Sequence, residues 1–151
     1  MQLVLADLTG VVNGRWVNKN TAVGGAVEPQ ALSQLAADGI ERIINLRGTA
    51  ELTGEEEQQA RSAGLAFVHL PVTGLADLTP EFLRELDDLL GENTPTLIHC
   101  ASGNRVGAAF ALHAKAFRGA TAEEALELGK RHGLTSMEAA VRSRLAAEAA
   151  P

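Results

Sequence analysis

Tyrosine is missing from this 151-residue chain, and the aromatic residues are limited to Trp16 and four phenylalanines. A core here has to be assembled from Leu, Val, Ile and Ala. The aromatic stacking platforms that grip single-stranded nucleic acid have little material to draw on. Positive charge is also short: 13 Lys and Arg stand against 19 Asp and Glu, a formal net charge of −6. Nucleic-acid binders usually carry a basic excess, so no nucleic-acid partner is expected. Lys115, Arg118, Lys130, Arg131, Arg142 and Arg144 recur late in the chain, but they alternate with Glu and read as a solvated helix surface. Cys100 is the sole cysteine. It permits no intramolecular disulfide and suits a reducing compartment, and no CxxC or His/Cys cluster suggests a metal. No apolar run has the length of a membrane span. The opening residues MQLVLADLTG lack a basic start and are interrupted by Asp7, so no signal peptide is read. The expected address is cytoplasmic, and the sequence is silent on oligomeric state.

The length suits one domain, residues 1–151, large enough to bury a core without staples. Residues 1–25 carry short apolar runs among Gly and Asn, with strands or hairpins only weakly signalled. Glu28 to Asp38, with Pro29 near its start and Gly39 after its end, has the asymmetry of a helix. The β-branched run 40–46 predicts a buried strand. Residues 49–63 are Glu-rich and predict a solvated helix, and Leu65 to Val72 a second strand. Thr79-Pro80-Glu81 opens a helix with an N-cap and a proline at its first position. Its apolar face is Phe82, Leu83, Leu86, Leu89 and Leu90. Thr96 to Cys100 predicts a third strand, followed by a glycine-containing loop and a helix from Arg105 to about Phe117. Two further helices each open with a capping-box pattern, Thr121 with Glu124 and Thr135 with Glu138. Strands alternating with helices, then helices alone, predict a three-layer α/β/α domain with a mostly parallel central sheet and C-terminal helices.

The chemistry is expected in the loop His99-Cys100-Ala101-Ser102-Gly103-Asn104-Arg105. In an open α/β sheet, ligands bind beyond the carboxyl ends of the strands, and Cys100 sits at such an end. Gly103 permits a tight turn in which the N–H groups of Ala101, Ser102, Gly103 and Asn104 converge on one point. The following helix adds its positive end, and Arg105 adds a planar charged fork suited to a tetrahedral anion. A thiolate nucleophile and an anion site therefore arise together. Cysteine at a strand end is often just a small buried hydrophobe; Gly at +3 and Arg at +5 argue against that here. Arg47 closes the strand 40–46 on the same sheet edge and is placed to reach the anion, to brace the loop or to pair with Glu51. His99 is expected to orient the loop by hydrogen bonding. His69, His113 and His132 are given strand, packing or surface roles.

The loop is similar to that of the protein-tyrosine and dual-specificity phosphatases, in which His-Cys is followed by five residues and Arg. It also resembles rhodaneses, whose loop is often Cys-x-Ser-Gly-x-Arg. In order along the chain occur Ile43-Ile44-Asn45-Leu46-Arg47, a Glu-rich helix, Ala63-Gly64-Leu65, His69-Leu70-Pro71-Val72-Thr73-Gly74 and the His-Cys loop. This pattern, over about residues 20–117, resembles the bacterial phosphatase-like domain of beta-lactamase-hydrolase-like proteins. The resemblance implies a phosphatase-type α/β/α fold and hydrolysis of phosphate monoesters through a cysteinyl-phosphate. It implies a phosphorylated substrate or small anion as partner, and neither metal nor cofactor. It also implies a general-acid Asp on the loop after the second strand, where Asp77 is the candidate and position 74 is Gly. Two departures stand out. Four residues rather than five separate Cys100 from Arg105, as in rhodaneses, and Val106 occupies the place where phosphatases usually carry Ser or Thr. A persulfide-carrying sulfurtransferase and a non-catalytic anion- or phosphopeptide-binding module are the competing readings.

Overall fold

The structure, a computed structural model, describes residues 8–149. Residues 1–7, on which the reading of no leader rests, lie outside them. The elements run β1 (Arg15–Asn18), β2 (Thr21–Gly24), α1 (Leu32–Ala37), β3 (Arg42–Asn45), α2 (Glu55–Ser62), β4 (Ala66–His69), α3 (Pro80–Leu90), β5 (Thr96–His99), α4 (Asn104–Phe117), α5 (Ala122–Arg131) and α6 (Glu138–Ala149). Single 3-10 turns lie at Pro29–Ala31, Thr49–Glu51 and Leu75–Asp77. The predicted helix 28–38 is thus a 3-10 turn and a short α-helix, and the polar stretch 49–63 splits at Gly54.

The five strands form one sheet in the order β1-β2-β5-β3-β4. β1 and β2 form an antiparallel hairpin, and the other neighbours are parallel. The mixed α/β architecture with a mostly parallel sheet is the expected one. Side chains alternate across the sheet, as strand geometry requires. Val23, Ile44 and Ile98 face α3 to α6 in one core, and Ala22, Ile43 and Leu97 face α1 and α2 in another. Ile43, Ile44, Leu97 and Ile98 are fully buried, each worth about 1.5–3 kcal/mol of transfer free energy. Nine consecutive residues of α4, Val106 to Ala114, are buried, Phe110 among them. Most of them are small, so α4 sits close to α5: a Cβ on Gly107 would lie 2.7 Å from Gly129 O.

Local signals behave largely as their chemistry dictates. Thr79 Oγ1 accepts from the Phe82 N–H at the start of α3. Thr121 and Glu124 close their capping box in both directions. The second expected box does not form. The Glu138 N–H bonds the Thr135 carbonyl, and the Glu138 carboxylate goes to Lys130 and Arg142. Among the histidines, His113 is buried against Asp87, and His132 packs against Phe110 with the rings tilted by 33°. Among the described residues, no helix is long and apolar enough to cross a membrane.

Candidate active site

The parallel register places Gly24, His99, Asn45 and His69 in one row across the sheet. Each is the last residue of its strand, so the four loops that follow gather on one edge. Strand alternation turns His99 toward α2 and Cys100 into the core beneath α4, where its side chain is fully buried.

The carbonyls of the loop from Cys100 to Gly103 are all hydrogen-bonded. Cys100 O lies 3.2 Å from His99 Nδ1. Ala101 O accepts from Ala26 N at 2.8 Å, Ser102 O from Asn13 Nδ2 at 3.4 Å, and Gly103 O from Gly107 N at 3.0 Å. The N–H groups are disposed differently. Gly103 N donates to Cys100 Sγ at 3.1 Å. Among the described residues, the N–H groups of Ala101, Ser102 and Arg105 find no acceptor in the protein. Gly103 has φ +100°, a conformation that L side chains rarely adopt. Gly133, from the turn between α5 and α6, packs so closely that a Cβ there would lie 2.6 Å from Gly103 O.

Arg105 is held in a definite pose. Nη1 donates to Glu51 Oε2 and to the Val72 carbonyl, both at 2.8 Å, and Nη2 donates to Glu51 Oε1 at 3.0 Å. Among the described residues, Nε–H and the second Nη2 hydrogen have no hydrogen-bond acceptor. The Glu51 hydrogen bond raises the Arg105 pKa. Glu51 also takes the Gly48 N–H at 2.6 Å and lies 3.6 Å from Arg47 Nε. Of the roles open to Arg47, the structure displays the Glu51 pair, and its backbone carbonyl accepts from His69 Nε2. The Arg105 hydrogen bond holds the Glu51 carboxyl at about 2, against an ordinary 4.5. A carboxylate with a depressed pKa stabilises the fold above its unfolded pKa, and that contribution fades as pH falls through the folded value. Thermal melting of the parent should therefore exceed that of Glu51→Gln by a constant margin above about pH 4.5, a margin that disappears toward about pH 2. A margin unchanged at pH 2 would contradict the pairing.

His99 is the loop's anchor on the other face. Its Nε2 is 2.6 Å from Glu56 Oε2, and Asn45 Nδ2 donates to the other Glu56 oxygen at 3.2 Å. The Asn104 side chain is turned away from the loop's concave side. Its Oδ1 accepts from Thr135 N and Met137 N, and its Nδ2 donates to Ser136 Oγ. Asp77 sits exposed in the 3-10 turn after β4. Its Oδ2 accepts from Thr73 N at 2.8 Å and Thr73 Oγ1 at 2.7 Å, and these bonds lower its pKa. Glu56 is a participant the sequence left without an assigned role, and Glu51 entered only as a candidate partner of Arg47, not of Arg105. Nothing local marks them out in a Glu-rich segment, because their partners lie on β5 and α4.

The phosphatase-like domain of beta-lactamase hydrolase-like protein matches as a family model over residues 13–117. A beta-lactamase hydrolase-like protein of Xylella fastidiosa is 28% identical over 122 residues, covering 78% of this chain but 28% of that relative. Among solved structures, a putative phosphatase from Neisseria meningitidis superposes with a TM-score of 0.70 at 24% identity, over 85% of this chain and 92% of that one. P. aeruginosa TpbA, solved in complex with pTyr, superposes with a TM-score of 0.61 at 15% identity, over 94% of this chain and 95% of that one. The loop geometry, the strand order and the family match converge, and the chain belongs to the beta-lactamase hydrolase-like phosphatase-like domain family.

Proposed function

We propose that this chain is a cysteine-dependent phosphatase acting on phosphate monoesters. The observation that carries the reading is the disposition of the catalytic loop. Its carbonyls from Cys100 to Gly103 are already hydrogen-bonded, while three N–H groups and two Arg105 hydrogens are left for a ligand beside Cys100 Sγ. That is a receptor for a tetrahedral anion with a nucleophile at its base. The Cys100 thiolate attacks phosphorus, the bond to the leaving oxygen breaks, and the N–H groups and Arg105 hold the equatorial oxygens. Water then attacks the cysteinyl-phosphate, giving inorganic phosphate and regenerating the thiolate. The family and the phosphatases among the structural neighbours support this reaction, and the phosphotyrosine bound by TpbA supports a phosphorylated substrate.

The four-residue spacing between Cys100 and Arg105, in a Cys-x-Ser-Gly-x-Arg pattern, and the lack of an acidic residue at position 74 suit a persulfide carrier. Mass spectrometry of the intact protein, quenched during exposure to an aryl phosphate and separately to thiosulfate, tests the choice. An adduct of phosphate mass on Cys100 is expected; a stable sulfur adduct with no phosphate adduct would overturn the proposal.

Asp77 is the general acid in this reading. In the arrangement described, Thr73 holds its carboxylate in the ionised form. Delivering a proton requires Thr73 to release it as the dianionic substrate arrives, since a nearby negative charge favours the protonated acid. Asp77→Asn should slow hydrolysis of alkyl phosphates about 10²-fold, while aryl phosphates with good leaving groups lose far less. Equal rates for parent and variant on both classes would remove Asp77 from the mechanism.

A further inference from the structure

The segment after Phe117 lies outside the family match, yet it reaches the catalytic machinery at two places. The turn leading into α6 is fastened to the catalytic loop through the Asn104 side chain, which holds Thr135 N, Met137 N and Ser136 Oγ. About two turns further along α6, the guanidinium of Arg144 donates from Nη1 to Leu75 O at 3.0 Å and from Nη2 to Leu78 O. Those two carbonyls flank Asp77, at the start of the 3-10 turn Leu75–Asp77 and just beyond its end.

The intervening helix is seated firmly. Val141 and Leu145, one turn apart on the same face, are fully buried in the core that also contains Leu78, Leu83 and Cys100. Arg144 Nε pairs with Glu148 at 3.1 Å, which leaves the two terminal nitrogens for the turn. Leu75 O already accepts the Leu78 N–H at 3.0 Å within the turn, so Arg144 fills its second acceptor position as well as reaching Leu78 O, and one planar fork from a distant helix on both carbonyls fixes the turn in position and in tilt.

We propose that α6 is a strut that sets the acid-bearing turn relative to the catalytic loop, with Arg144 as a positioning residue for Asp77. This rests on the reading of Asp77 as the acid. Arg144 touches neither substrate nor nucleophile. It acts by holding the backbone at Leu75 and Leu78, so that when Thr73 releases the carboxylate, Asp77 turns about a fixed base toward the leaving oxygen. The Thr73 bonds alone cannot do this, because they fix the carboxylate and must break for the acid step. Misplacement of a catalytic group by about 1 Å from a remote change can cost as much as 10²-fold.

The test is the ratio of kcat/KM for an aryl phosphate with a good leaving group to that for an alkyl phosphate, measured on the full chain. Arg144→Gln should raise this ratio about tenfold by slowing the alkyl ester. In an Asp77→Asn background the same change should add nothing further, the non-additivity expected of residues acting through one group. Arg142→Gln, on the same helix but paired with Glu123 and Glu138 at the surface, should leave the ratio at the parental value. If Arg144→Gln does not fold, Arg144→Lys, which keeps the charge and can reach one carbonyl, takes its place and should raise the ratio by a smaller factor. A ratio unchanged by the Arg144 variants while Asp77→Asn raises it overturns the strut alone. A ratio that Asp77→Asn leaves unchanged overturns the acid assignment and the strut with it. Equal losses on both esters in Arg144→Gln would make Arg144 a general stabiliser and refute the positioning role.

Discussion

Cys100→Ser is expected to abolish release of phosphate from aryl and alkyl esters alike, a loss on the order of 10⁵-fold or more, as for removal of a nucleophile from other hydrolytic sites. The alcohol is a far weaker nucleophile than a thiolate at neutral pH, and no second cysteine can substitute. Binding should survive the change. The loop is shaped by Gly103, by the carbonyl bonds to Ala26 and Asn13 and by the Glu51 clamp on Arg105, none of which involves sulfur. The smaller hydroxyl can accept the Gly103 N–H in its place. Phosphate-release assays, paired with calorimetric titration of inorganic phosphate, separate the two effects. Turnover within tenfold of the parent would dismiss Cys100 as the nucleophile, and joint loss of turnover and phosphate binding would mean that the substitution had collapsed the loop.

Arg105→Lys should lower kcat/KM by on the order of 10³-fold, at the upper end of what removal of a single transition-state donor costs. The reason is a count of hydrogens. The guanidinium has five N–H donors; three are engaged with the two Glu51 oxygens and the Val72 carbonyl, and two are left for the substrate. An ammonium has three. If it satisfies the same three acceptors it has nothing left for phosphate, and if it turns to phosphate it abandons a carboxylate or a carbonyl that is then poorly paired. Steady-state kinetics with one aryl ester suffices as the check, and a variant within a few-fold of the parent would exclude Arg105 as the ligand of the transferring phosphoryl group.

The parts of this molecule that could be read from residues in order are those whose causes are local. The β-branched run around Ile43 and Ile44, the Thr79 and Thr121 caps and the Cys100-to-Arg105 loop carry their determinants within a few positions. The determinants of the site's electrostatics are not local. Glu51 belongs to Arg105 because β3 and β5 are neighbours in the sheet, and that pairing has no trace in spacing or composition. The sequence offered Glu51 to Arg47, four residues back. The structure has that contact at 3.6 Å, with the shorter and bidentate one going to Arg105. Asn104 illustrates the same limit from the other side. Its place in the loop suggested a part in anion binding, while its side chain is spent on a turn more than thirty residues away. The second capping box failed for a related reason: the Thr135 N–H is taken by Asn104, the Glu138 N–H goes to the Thr135 carbonyl, and the Glu138 carboxylate pairs with Lys130 and Arg142 instead.

The strand order has a bearing on how the molecule assembles. Thr96 stands between Thr21 on one side and Arg42 on the other, so β5 is the last strand in the chain but occupies the middle of the sheet. Until it is inserted, β2 and β3 have no ladder between them, and each presents an unpaired edge of the kind that invites association with other chains. Pairings this distant along the chain are closed late and slowly. A growing polypeptide therefore passes through a stage in which most of the sheet has been synthesised but its halves are unjoined. The strand that joins them is the one that ends in Cys100. The Cys100 side chain enters the fold in the same event that joins the two halves of the sheet, so an intermediate with an open sheet does not have the loop after β5 in its final surroundings.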